Sequence, residues 1–118
     1  MAPRVGTITV NTEDLDKAVA FWSSFLGVEV LHSNTDIGIV WLCPDTPDGV
    51  NMAFQLVATR PAPPNEVHLD IAVDDLDSAQ AKIEQLGGSL VAVNHLGNGF
   101  EWRVVTDSEG NQFCILCE

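Results

Sequence analysis

One displacement governs this chain: moving 61 positions forward, from 14 to 75, lays its first half on its second. Asp14 then meets Asp75, Leu15 meets Leu76, Ala18 meets Ala79, Gly27 meets Gly88, Trp41 meets Trp102 and Gly49 meets Gly110. A single shift that joins helix, strand and turn markers is the mark of an internal repeat, and each copy must then carry the same run of elements. In the first copy, Thr7 to Thr12 alternates polar with apolar, the period of a half-buried strand. Next comes a helix from Asp14 to Leu26, with Leu15, Ala18, Val19, Trp22, Phe25 and Leu26 on its apolar face. Asn11 or Thr12 can cap its start, and Gly27 its end. Three further strands are expected around 28–32, 37–42 and 51–57, the last two joined by the turn-rich Pro44 to Gly49. The order restarts with the strand Val67 to Val73 and a helix from Asp75 to Gly87-Gly88, and Phe113 to Leu116 reads as a closing strand.

Pro61, Pro63 and Pro64 exclude the segment 58–65 from any central strand, so it reads as the joint between copies. The expected architecture is α+β: two tandem βαβββ modules, about 4–57 and 66–117, in one domain over 1–118. One helix covers one face of each four-stranded sheet. The other faces, curled into a cup of mixed sheet, are then free to line a ligand cavity.

Composition limits what such a cavity serves. Apolar residues make up 46% and charged residues 19%, an ordinary globular balance, and no run is long and apolar enough to span a bilayer. Seventeen acidic residues against five basic ones give a net charge of −12, which repels nucleic acid and anionic membranes and favours cationic ligands. The opening Met1-Ala2-Pro3-Arg4 has no secretory pattern, so a cytoplasmic location is expected. Three cysteines without that pattern predict free thiols. Cys114 and Cys117 are three apart on a strand and face opposite ways, which does not make a chelate.

Several stretches resemble the vicinal oxygen chelate superfamily of glyoxalase, bleomycin-resistance and extradiol dioxygenase proteins. In the second copy these are Val67-His68-Leu69-Asp70, Val73-Asp74-Asp75-Leu76, Leu86-Gly87-Gly88, Trp102-Arg103-Val104-Val105 and Asp107-Ser108-Glu109-Gly110-Asn111. In the first they are Asp14-Leu15-Asp16-Lys17-Ala18, Phe21-Trp22 and Phe25-Leu26-Gly27. The resemblance implies paired βαβββ modules, homodimers and a small-molecule cavity. It also implies metal ligands, in the enzymes, on the first and last strands of each module. Those positions fall here on Thr7, on Ala53 or Gln55, on His68 and on Cys114. Thr and Ala do not supply such donors, so no cofactor is expected; His68, Gln55 and Cys114 are the only candidates for a non-standard divalent metal.

His68 and Asp70 lie two residues apart on one strand face, at a spacing of roughly 7 Å, where a histidine and a carboxylate can act as acid and base. A histidine bonded within the sheet and a rim carboxylate are the plain alternatives. The ligand-lining set is predicted to be Thr7, Thr9, Trp41, Gln55, His68, Asp70, Trp102 and Cys114. Trp41 and Trp102, at equivalent places, would form aromatic walls or pack in the core. Met52, Phe54, Phe113 and Ile115 would pack beneath the helices. His32 and His95 receive no role, and 95–101 reads as a mobile loop by the cavity or a simple hairpin connection. Three functions stay open: a metal-independent small-molecule binder, a lyase or isomerase using His68 and Asp70, and a dimeric interaction module without a ligand.

Overall fold

The computed structural model describes residues 2–117 and contains the two copies as eight strands and two helices in a mixed α+β arrangement. The first copy runs β1 (Arg4–Thr12), α1 (Leu15–Leu26), β2 (Val30–Asn34), β3 (Ile39–Leu42) and β4 (Asn51–Leu56). The second runs β5 (Val67–Ala72), α2 (Leu76–Gln85), β6 (Ser89–His95), β7 (Glu101–Thr106) and β8 (Gln112–Leu116). The chain divides into two compact units, Thr7–Val67 and the remaining described residues 2–6 and 68–117, so the proline-rich segment belongs to the first. No helix among the described residues is long and apolar enough to cross a membrane.

Within the Thr7–Val67 unit the strand order is β2-β3-β4-β1, with β4 and β1 parallel and the other pairs antiparallel. The Asn11 side chain, only 2% exposed with its residue, donates to the carbonyl oxygens of Ala62 and Asn65, both at 3.1 Å. One buried amide thereby holds the proline-rich segment against β1. The cap of α1 is Asp14, whose carboxylate accepts from the Lys17 amide at 3.1 Å; Thr12 instead accepts from the Asp14 amide at 3.0 Å. The expected cap at Asn11 or Thr12 is thus corrected, because Asn11 is spent on the joint and Thr12 stands a step outside the helix. Gly27 ends α1 in the left-handed region as expected, at φ 68°. The expected apolar face is also shorter than its periodicity. Leu15, Ala18, Val19 and Trp22 are half-buried, but Phe25 is 74% exposed and Leu26 is exposed too. The last turn stacks Phe25 on Phe21 instead of burying it, with ring centroids 6.0 Å apart.

The other unit repeats the order as β5-β8-β7-β6, with β5 and β8 parallel. Its core is Val73, Val105 and Ile115, packed against Phe113 and the α2 residues Leu76, Ala79 and Ile83. Phe113 and Ile115 therefore lie beneath the helix as expected, and Cys114, between them, points the other way. Asp75 caps α2, taking the Asp77 amide at 3.3 Å and the Ser78 hydroxyl at 2.6 Å. Arg103 ties β7 to α2, donating to Asp77 and Gln80, each at 2.8 Å.

Register carries the repeat further than composition does, and also breaks it. Thr9 pairs with Ala53 in the first ladder and Asp70 with Cys114 in the second, both members shifted by the same 61 positions. Trp41, however, pairs with Ala53, whereas the residue opposite Cys114 is Val104; Trp102 pairs with Leu116. The two tryptophans are therefore not equivalent, because the turn before β8 is shorter than the turn before β4 and slides Trp102 one row along its face. The left-handed glycine moves as well: it is Gly87 (φ 101°) that follows α2, and not Gly88.

Candidate functional site

His68 and Asp70 project from the same face of β5, and Cys114 joins them because β8 runs parallel to β5 with Asp70 and Cys114 in register. The side chains close most of the spacing along the strand: His68 Nε2 lies 3.5 Å from Asp70 Oδ1. Their side chains are 8% and 19% exposed, and Cys114 is buried. Imidazole nitrogen, carboxylate oxygen and sulfur all lie within 4.8 Å of one another. Sequence reasoning paired His68 with Asp70 and put Cys114 in the same lining set, and as a metal candidate with His68 and Gln55; the Asp70–Cys114 register itself is not written in a single strand.

The electrostatics of the three are coupled. Burial, the charge of Asp70 and a hydrogen bond to Asp70 push the Cys114 thiol up to about 12. The thiol therefore stays protonated and donates to the carboxylate. His68 presents Nε2 to Asp70, so Nδ1 is the ring nitrogen without that contact. That Nδ1 is buried and has no hydrogen-bond partner.

Around this cluster the face is polar at one end and aromatic at the other. Val104 stands beside Cys114, and Trp102 lies in the next row with Leu116 and Ala72, half-buried and stacked on Phe100 at 6.2 Å. The 95–101 segment is a hairpin connection, closed by Leu96 donating to Phe100 O at 2.8 Å and Gly99 to Leu96 O at 3.0 Å. His95, at its start, faces Glu101 at 3.3 Å.

The remaining predicted residues belong to the Thr7–Val67 unit. Thr7, Thr9, Gln55 and Trp41 share one face there, with Thr9, Ala53 and Trp41 in a single row; Thr9 and Ala53 are buried. Trp41 has His32 against it, ring centroids 5.4 Å apart, which gives that histidine a packing contact. Phe54, on the opposite face, is fully buried. Gln55 donates its amide to Ile37 O at 2.8 Å and Leu56 O at 3.2 Å, which anchors the β2–β3 turn.

The positions that the resemblance implies for a family metal are donors only in part. Thr7 offers a hydroxyl and the Gln55 amide nitrogen is spent on backbone carbonyls, whereas His68, Asp70 and Cys114 bring nitrogen, oxygen and sulfur within 4.8 Å, Cys114 only on losing its proton.

The family model described as a glyoxalase-like domain matches residues 7–116. Comparison with curated proteins finds no match. Among solved structures, methylmalonyl-CoA epimerase from Mycobacterium tuberculosis superposes with a TM-score of 0.70 at 17% identity, covering 95% of this chain and 85% of that one. The Streptomyces coelicolor methylmalonyl-CoA epimerase gives 0.68 at 21% identity, covering 98% and 96%. A glyoxalase/bleomycin resistance protein/dioxygenase superfamily member from Vibrio splendidus 12B01 gives 0.67 at 20%, covering 99% and 100%. At such identities the superpositions establish fold, while the family model covers nearly the whole sequence. The chain belongs to the glyoxalase-like domain family.

Proposed function

We propose that this protein binds a small molecule on the β5–β8 face, without a metal, using His68 Nδ1 and Asp70 as its polar anchors and Trp102 as an apolar wall. The observation that carries this reading is the orphaned Nδ1. A buried polar atom without a partner costs about 1–3 kcal/mol, so a ligand N–H or O–H that reaches it recovers energy the fold leaves unspent. Asp70 adds a fixed negative charge beside it, and the net charge of −12 favours approach of cationic ligands. An amine or hydroxyl compound with a flat apolar body suits these groups.

Proton transfer is the second reading, favoured by the 3.5 Å approach of Asp70 to His68. A carboxylate beside Nε2 orients the imidazole, and Nδ1 is then the nitrogen to take a proton from a carbon next to a carbonyl. Solved neighbours of this fold include methylmalonyl-CoA epimerases, which makes a lyase or isomerase reaction the class to assay. We further propose a cytoplasmic homodimer, supported by the exposed edge strand β6.

A thermal-shift screen of amine and hydroxyl metabolites against wild type, His68→Ala and Asp70→Asn tests binding. Ligands should stabilise wild type and lose at least about ten-fold in affinity in His68→Ala, the equivalent of about 1.4 kcal/mol. Hydrogen exchange of bound ligands in D2O, followed by NMR, separates turnover from binding alone. Retention of one equivalent of zinc by purified wild type, lost in His68→Ala, would refute the metal-free reading.

A further inference from the structure

A second recess lies in the Thr7–Val67 unit, where the residues leading into α1, the first two turns of that helix and Arg60 of the proline-rich segment meet around a cavity of about 380 Å³. That volume is within the range that holds small organic ligands. Its apolar floor is the pair Phe21 and Trp22, set edge to face with centroids 5.3 Å apart. Phe21 is 60% exposed, with its ring against those of Trp22 and Phe25 of the same helix.

The charges around this floor are the more informative part. The chain has only five basic residues, and two of them, Lys17 and Arg60, line this one cavity. Arg103, by contrast, is fully engaged with Glu101, Asp77 and Gln80. Among the described residues the Lys17 ammonium has no carboxylate within ion-pair distance, despite seventeen acidic residues in the chain. Arg60 gives Nε to Glu66 at 3.1 Å, which positions the guanidinium while its two terminal nitrogens remain unspent. On the acidic side, Asp14 is committed to capping α1, and Glu13 has no ion-pair or hydrogen-bond partner for its carboxylate among the described residues. The cavity thus offers an aromatic surface, two cationic donors and one unpaired anion.

We propose that this cavity is a binding site for a small aromatic zwitterion. The ring lies against Phe21 and Trp22, the carboxylate takes charge-assisted hydrogen bonds from Lys17 and Arg60, and the ammonium faces Glu13. A simple anion would meet Glu13 and Asp14 as well as the cations, and a simple cation would meet Lys17. Only a ligand with both charges satisfies the whole lining. The cavity is open to solvent, so each charge contact is partly screened and the affinity belongs in the millimolar to high-micromolar range. The site is built from the first unit alone and does not use His68, so it stands apart from the proposed β5–β8 anchor.

L-Phenylalanine is the probe, with 3-phenylpropionate (no ammonium) and 2-phenylethylamine (no carboxylate) as its two controls, all followed by saturation-transfer NMR titration of the full chain. Phenylalanine should bind saturably, with either control at least about five-fold weaker, a difference of about 1 kcal/mol. Lys17→Gln and Phe21→Ala, both at exposed positions that leave the core untouched, should each weaken phenylalanine by a similar factor, and His68→Ala should not. The proposal fails if no probe saturates, if 3-phenylpropionate or 2-phenylethylamine binds as well as phenylalanine, or if Lys17→Gln and Phe21→Ala leave binding unchanged.

Discussion

Cys114 shows how one ladder pairing sets the chemistry of a side chain. Opposite Asp70 and shielded from water, its thiol is held protonated up to about pH 12, whereas its ordinary value is 9.0. The folded state therefore binds this proton more tightly than the unfolded chain. Its contribution to stability is complete below pH 9 and drains away as pH rises from 9 towards 12, by at most about 1.4 kcal/mol per pH unit. Melting temperature should fall across that window in wild type and fall less in Cys114→Ala, as circular dichroism scans at stepped pH would record. In the sequence, the spacing of His68 and Asp70 was legible, because alternate residues on a strand share a face whatever the strand pairs with. Cys114 was legible too, as an inner-face position of the last strand grouped with His68, but its pairing with Asp70 was not. Which residue of β8 meets Asp70 depends on the register of two strands more than forty residues apart, and hydrophobic pattern fixes the face of a strand without fixing its row.

At the level of elements, the two helix ends contrast although they answer to the same repeat. A Cβ on Gly88 would run into the Thr106 carbonyl oxygen and the Ile83 side chain, so α2 approaches β7 too closely for any other residue. At Gly27 a Cβ meets nothing within 4 Å, and the only cost is the left-handed φ of 68°. Gly88→Ala should thus lose about 2–3 kcal/mol or more by overpacking, and Gly27→Ala about 1 kcal/mol by backbone strain, a difference that urea unfolding resolves. Helices, strands and the joint were readable from periodicity and proline, since each is a local property of its own segment. The exposed last turn of α1 and the slipped Trp102 were not, because both depend on what lies opposite. Phe25 has the right helical phase for burial but stays 74% exposed, stacked on Phe21 of its own helix. Trp102 keeps its face, yet a shorter turn before β8 moves its neighbours by one row.

Charge and edges govern the behaviour of the molecule as a whole. Arg103 holds Glu101 below its ordinary value of 4.5, and Asn111 and Ser78 do the same for Asp107 and Asp75, whose ordinary value is 3.8. Carboxylates depressed in the folded state stabilise it above their unfolded values and lose that effect as pH falls through the folded ones. Stability should accordingly decline below about pH 4.5, and in Arg103→Gln the decline should be shallower, as acid-titration circular dichroism would reveal. The outer strand β6 presents an open hydrogen-bonding edge, with Val91 49% and Val93 44% exposed and Leu86 nearby in sequence at 66%. Such an edge invites pairing with a second copy, the contact proposed for the homodimer. Light scattering should find wild type at twice the chain mass, and Val91→Lys at the monomer mass with its melting temperature little changed; a monomeric wild type rules the contact out. The matched ladders carry a last implication. Thr7, Thr9 and Ala53 stand 61 positions before His68, Asp70 and Cys114, two of them in the same pairing as their counterparts, so the first copy preserves the scaffold of the cluster stripped of its chemistry. Each molecule thus carries a second such frame, in which hydroxyl and methyl groups stand where the other has imidazole, carboxylate and thiol.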